Sequence, residues 1–171
     1  SIPVVQARVK TQLSLKKAQQ NLKQQNTILE EKVKERTREV RESRLSIINC
    51  LVKAAEYRDP ETGFHIQRMS HYSHLLALAS GMDEKTADRL LNASPMHDVG
   101  KVGIPDLILL KPSKLTPEEW AVMKTHPTKG GDILRDQSAP LLRMAREIAI
   151  SHHEKWDGSG YPNGLKKEEI P

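Results

Sequence analysis

His97-Asp98-Val99-Gly100-Lys101-Val102-Gly103-Ile104-Pro105 is the stretch around which the chain is organised. It opens on an imidazole and a carboxylate side by side. That hard nitrogen-and-oxygen pair suits Zn, Fe, Mn, Ni or Co better than Ca or Mg. A His-Asp doublet arises by chance in many sequences, so its company decides the reading. Glu61 and His65 precede it, His126 follows, and His152-His153 come after that. Each group reads as lying on or beside a helix. A set of surface and core histidines is the plain alternative. A solvated histidine, however, has no reason to neighbour a carboxylate or another histidine three times over in one half of a short chain.

Lys101 follows Asp98 by three residues. On a continuing helix it projects from the same face, where an ammonium can neutralise a phosphate oxygen. Upstream, Asp59 is a good N-cap and Pro60 a good first helical residue. Glu61 and His65 then fall at i and i+4, on one helical face. His71 and His74 have no carboxylate at an obvious spacing and stay outside the ligand set. Leu75, Leu76, Leu78 and Ala79 are expected in the core, with Gly81 ending their helix. Asp83 to Leu91 reads as another helix.

Downstream, Thr116-Pro117-Glu118-Glu119 is a capping box with proline at the first helical position. It opens a helix through Trp120, Met123 and Lys124 that delivers His126, and Pro127 restarts the next element. Ser138 to Ser151 reads as a helix ending in His152-His153. Adjacent helical residues point about 100° apart, so neither histidine simply replaces the other. At a helix end both can face a cluster of more than one metal. Residues 154–165 hold three glycines, a proline, an aspartate and an asparagine, which means a loop. Beside two ligands, such a loop is a substrate or partner surface rather than a spacer.

The first third of the chain has a different character. No glycine or proline lies between Pro3 and Pro60, which permits one very long helix. Leu15, Leu22 and Leu29 recur every seven residues, the seam of a coiled coil. Val33 follows Leu29 by four and Val40 follows it by eleven, which reads as a stutter. A lone exposed helix of this length buries too little to be stable, so a parallel dimeric coiled coil is expected, with polar Gln25 and Lys32 near its seam. From Leu45 the pattern thickens through Ile47, Ile48, Leu51, Val52, Ala54 and Ala55, where the helix enters a globular core.

With 171 residues the chain fits one ordinary domain plus an appendage. One Phe and two Trp leave the core to Leu, Ile, Val, Ala and Met. No apolar run is long enough to cross a bilayer and no signal peptide opens the chain. Cys50 is the single cysteine, so no internal disulfide forms, which fits a reducing cytoplasm. Residues 1–58 hold 13 Lys and Arg against 6 Asp and Glu, a net +7, while residues 59–171 hold 14 against 16, a net −2. The basic excess therefore belongs to the long helix. That helix lacks a matching apolar-aromatic face, so it reads as solvated rather than as a binder of a nucleic acid polymer or a membrane. No P-loop, dinucleotide fingerprint or Ser-His-Asp arrangement competes.

The His97–Pro105 stretch, together with His152-His153-Glu154-Lys155-Trp156-Asp157-Gly158-Ser159-Gly160-Tyr161-Pro162, closely resembles the HD-GYP domain. These are bacterial cyclic-dinucleotide phosphodiesterases of the HD metal-phosphohydrolase superfamily. The resemblance covers residues 45–171, and residues 1–20 resemble the last helix of a response-regulator receiver domain, with 21–44 as a coiled-coil linker. It implies an all-α fold, a long N-terminal coiled-coil helix leading into a helical bundle. It implies two or three divalent metal ions, iron or manganese, where the ligand types alone leave zinc, nickel and cobalt open. His97, Asp98, His126, His152 and His153 match the family's ligands, with Asp98 bridging. Glu61 and His65 match those of three-metal members. Lys101 matches the lysine on the scissile phosphate, and Tyr161 lies in the loop that lines the substrate site and recruits GGDEF diguanylate cyclases. A further aspartate ligand is implied beyond Pro171, so the domain is expected to be truncated at its C-terminus. The implied activity is hydrolysis of cyclic di-GMP to linear pGpG or GMP, in two-component signalling below a histidine kinase. The alternative is a catalytically silent module that holds a cyclase.

Overall fold

The computed structural model describes residues 2–57 and 63–171. The chain divides into two compact units, Ser1–Ser46 and Ile47–Pro171, taken separately below. The described elements are helices and 3₁₀ turns, with no strand among the described residues. No helix among them is long and apolar enough to cross a membrane.

Helix α1 runs Ile2–Glu56, as the absence of internal glycine and proline permits. In the first unit its apolar side chains Leu15, Leu22, Leu29, Val33 and Val40 are all exposed.

In the second unit α2 (Gly63–Ala79), α3 (Glu84–Ala93), α4 (Asp106–Leu109), α5 (Pro117–Met123), α6 (His126–Ile133) and α7 (Pro140–Ser151) follow. Asp83 caps α3, its carboxylate accepting from Thr86 N at 3.1 Å. The capping box of α5 forms as read: Glu119 N donates to Thr116 Oγ1 at 3.3 Å, and Thr116 N donates to Glu119 Oε2 at 2.8 Å. Lys111 Nζ adds a 2.8 Å bond to Glu119. Gly81 closes α2 with φ +88°, where Met82 N reaches back to Ala77 O.

The core gathers Val52, Ala93, Met96, Leu134, Ala145 and Ala149, flanked by Ile48, Leu141, Leu142, Met144 and Ile148. Two expectations are corrected here. In the last turns of α1 Ile48 and Val52 turn into the core and Ala55 is half-buried on the same stripe, while Ile47, Leu51 and Ala54 are exposed. In α2 the buried stripe is Ile66, Ser70 and Ala77, while Leu75, Leu76, Leu78 and Ala79 are exposed. A helix buries one stripe at a period of 3.6 residues. A cluster of consecutive leucines cannot say which stripe that is. Both α3 and the Ser94–Met96 turn lie against α2.

Candidate metal centre

Asp98 sits between two 3₁₀ turns, Ser94–Met96 and Val99–Gly103, with φ −101° and ψ 11°. The α-helical continuation expected toward Lys101 is thus a 3₁₀ turn. Its three-residue period still returns Lys101 to Asp98, with Nζ 2.9 Å from Oδ2. The turn can approach α6 because position 100 is glycine. A Cβ there would fall inside the His126 carbonyl oxygen and against Gly130 N. His126 is the first residue of α6 rather than the end of α5, and it is almost wholly buried. His152 is the C-cap of α7, and His153 lies beyond the helix.

The two oxygens of Asp98 serve different sides. Oδ2 lies 3.0 Å from His97 Nε2, whereas Oδ1 lies 3.2 Å from His126 Nε2 and 3.3 Å from His152 Nε2. The donor atoms of Asp98, His126, His152 and His153 all lie within 4.8 Å of one another. His97 stands across the carboxylate from them, its ring centroid 5.2 Å from that of His152.

The second nitrogen of each ring decides what this cluster can hold. Nδ1 of His97 is 3.1 Å from Ser94 O, Nδ1 of His126 is 2.8 Å from Met123 O, and Nδ1 of His152 is 3.1 Å from Ala149 O. A carbonyl only accepts, so each Nδ1 carries hydrogen and each neutral ring keeps its lone pair on Nε2. Those lone pairs aim at a carboxylate, and two of them stand 3.2 Å apart. Although two nitrogens are within 3.3 Å of Asp98 Oδ1, none meets it with hydrogen-bond geometry, and that oxygen is buried without a partner. Converging acceptors repel one another unless a cation lies among them. Backbone-anchored imidazoles around a carboxylate are how proteins hold transition metals, and the residues fit such an ion.

The electrostatics agree. Burial opposes ionisation of Asp98, but the imidazoles of His126, His152 and His97 around it outweigh that and hold the carboxyl well below the usual range. Burial also disfavours an imidazolium at His97, yet the hydrogen bond and charge of Asp98 prevail and raise its pKa. The field there favours a cation. His153 is pushed down to about 4 by burial and by His152 and His126, so at neutral pH its lone pair is free to ligate.

From His153 the chain enters the glycine-rich loop. Tyr161 stacks on His153, centroids 4.5 Å apart and planes 19° from parallel, and Tyr161 N donates to His153 O at 3.2 Å. Gly160 permits this return, since a Cβ would sit 2.5 Å from Glu154 Cα. Burial and the charge of Asp98 raise the pKa of Tyr161, which keeps it a neutral phenol. Glu154 ties the loop, accepting from Asn163 N at 2.8 Å and Leu165 N at 3.0 Å. The sequence reading passed over Glu154. Its signal was a carboxylate heading a loop whose backbone amides need acceptors.

Of the remaining expected ligands, Glu61 lies outside the described residues, as do its proposed cap Asp59 and Pro60. His65 is on an exposed face of α2 and does not join the cluster formed among the described residues. His74, set aside in the sequence for want of a partner, has its Nε2 3.4 Å from Asp88 of α3. No spacing along the chain reveals that contact.

Comparison with known proteins agrees with this geometry. The chain is 45% identical over 151 residues, 88% of its length, to a cyclic di-GMP phosphodiesterase of Thermotoga maritima, covering 41% of that protein. It is 50% identical over 133 residues, 78% of its length, to 3'3'-cGAMP-specific phosphodiesterase 2 of Vibrio cholerae, covering 26% of that protein. It is 40% identical over 167 residues, 98% of its length, to the cyclic di-GMP phosphodiesterase response regulator RpfG of Xanthomonas campestris, covering 44% of that protein. The chain thus spans less than half the length of these curated relatives. Residues 49–171 match the family described as HD domain, and with the His97-Asp98 doublet at the centre of the cluster, the chain belongs to the HD domain family.

Proposed function

We propose that this chain carries the catalytic site of a metal-dependent phosphodiesterase acting on a cyclic dinucleotide, cyclic di-GMP in the first instance. The observation that carries the reading is the Asp98 carboxylate. It is set between His97 and Lys101 on one oxygen and His126 and His152 on the other, with every imidazole anchored through Nδ1. The relatives' names supply the substrate class.

Asp98, His97, His126, His152 and His153 would hold the metal, with Glu61 and His65 reserved for a third ion. Iron or manganese suits this nitrogen-rich set, as zinc, nickel and cobalt also do. Bound divalent ions would supply Lewis acidity and lower the pKa of water. Asp98 positions the ligands and neutralises part of their charge. Lys101 places its ammonium where the phosphoryl oxygens gain charge. The oxygen of water adds to phosphorus, one P–O ester bond breaks, and the products are a phosphomonoester and a hydroxyl, giving pGpG and then GMP. Tyr161, stacked beside His153, borders the substrate.

The experiment follows cyclic di-GMP by chromatography with the full protein, purified without oxygen and loaded with iron or manganese. Loss of substrate supports the reading. No turnover at measured metal occupancy would replace it with a module that holds a cyclase through the Gly-Tyr-Pro loop. Lys101→Ala is expected to keep the parent metal content and lower kcat by about 10²- to 10³-fold, checked by steady-state kinetics beside elemental analysis.

The long helix supports a homodimer. With Leu15, Leu22 and Leu29 at d, the four-residue step to Val33 is the ordinary d-to-a step of a heptad. Val5, Val33 and Val40 then occupy a in one unbroken phase rather than across a stutter. Asn26 also falls at a, a residue that favours paired strands in register, and Glu39 at g can face Arg44 at e of a parallel partner. Replacing both Leu22 and Leu29 by Glu is expected to convert a dimer to a monomer, read by light scattering. A receiver domain before this helix, addressed by a histidine kinase, and a cytoplasmic site of action complete the proposal.

A further inference from the structure

The site has an aromatic extension that its metal chemistry does not use. Trp120 of α5 sets its ring edge-on to Tyr161, centroids 6.5 Å apart. Tyr161 is in turn stacked on His153 and lies 6.4 Å from His126. A row of rings therefore runs from the metal-ligating histidines outward to Trp120. Trp120 remains 45% exposed. Lys124, one turn on, places Nζ 5.9 Å from the Trp120 centroid and 5.4 Å from that of Tyr161. Lys124 is itself exposed. A half-exposed indole with a cation over it, continuous with a phosphodiester-cleaving cluster, has the composition of a site for a base joined to a phosphate.

We propose that the exposed indole of Trp120, braced edge-on against Tyr161, stacks a purine base of the substrate, and that Lys124 beside it contacts a phosphate that is not being cleaved. This inference rests on the phosphodiesterase reading and deepens it by naming residues that distinguish a nucleotide from a simple phosphodiester. Trp120 and Lys124 are binding residues here and take no part in the bond-breaking step. Both lie on or directly after the short α5, whose start the capping box fixes.

The test compares the manganese-loaded full protein with Trp120→Ala, Trp120→Phe and Lys124→Gln variants. Calorimetric titration with the bis-phosphorothioate analogue of cyclic di-GMP reads affinity. Hydrolysis of methyl p-nitrophenyl phosphate, which has no base, reads the cluster alone. Trp120→Ala is expected to weaken the dinucleotide by about 5- to 150-fold, the range that loss of one base–aromatic stack gives. Metal content and turnover of the base-free ester should be unchanged. Trp120→Phe should restore most of the affinity, and Lys124→Gln should reduce the salt dependence of binding. Parent-like affinity in Trp120→Ala overturns the stacking role. So does an equal loss on both ligands, or a loss of metal, since either assigns Trp120 a structural role. A parent that cleaves the simple ester but binds no cyclic dinucleotide overturns the substrate reading as well, an outcome distinct from failure of the stacking role alone.

Discussion

Asp98→Ala is expected to lose its metal and to lower phosphodiester hydrolysis by more than about 10²-fold, a loss that removal of a single outer-shell partner can already reach. The magnitude follows from geometry. One carboxylate faces His97 and Lys101 through Oδ2 and His126 and His152 through Oδ1. Removing it strips both sides of their shared anion at once. The imidazoles left behind keep their Nδ1 hydrogens on backbone carbonyls, so their lone pairs still converge, without the negative charge that favours a cation among them. Elemental analysis of the purified variant, beside circular dichroism to show that its helices persist, checks the first part, and chromatography of the substrate checks the second. A folded variant with full metal and full turnover would remove Asp98 from the centre of the site.

Gly100→Ala should be nearly as damaging, by a different route. The new Cβ would fall inside the His126 carbonyl oxygen and lie 2.9 Å from the His126 carbonyl carbon, with Gly130 N also in its way. All of these are backbone atoms, and backbone cannot swing aside as a side chain can. The 3₁₀ turn and α6 must separate. The expected cost exceeds about 3 kcal/mol, the top of the usual range for overpacking, which lowers the thermal midpoint by at least about 6 °C in a chain of this size. Metal content should fall with it, because His126 opens the helix that is displaced. Gly103→Ala is the control. Its Cβ meets only the Lys129 side chain, at 2.9 Å, which can move, so its melting curve should stay close to that of the parent. Equal melting of Gly100→Ala and the parent would mean the close approach is absent.

What the sequence by itself determined is local. The glycine- and proline-free run specified α1, Asp83 and Thr116 specified the starts of α3 and α5, and Gly81 specified the end of α2. In each case the deciding partners lie within four residues, where hydrogen-bond geometry leaves little choice. The clustered histidines and Asp98 named the kind of chemistry because their donor atoms are chemically distinctive wherever they stand. Tertiary structure decided which faces and which distances matter. It turned Ser70 and Ala77 of α2 inward and left Leu75, Leu76 and Leu78 exposed, since neighbouring helices rather than hydropathy select the buried stripe. It paired His74 with Asp88 across two helices, divided the oxygens of Asp98 between two groups of side chains, and brought Trp120 to Tyr161. The physical reason is common to all of these: each depends on the approach of segments distant in the chain, such as the 3₁₀ turn meeting α6 at Gly100, and side chains converge only where the backbone permits that approach.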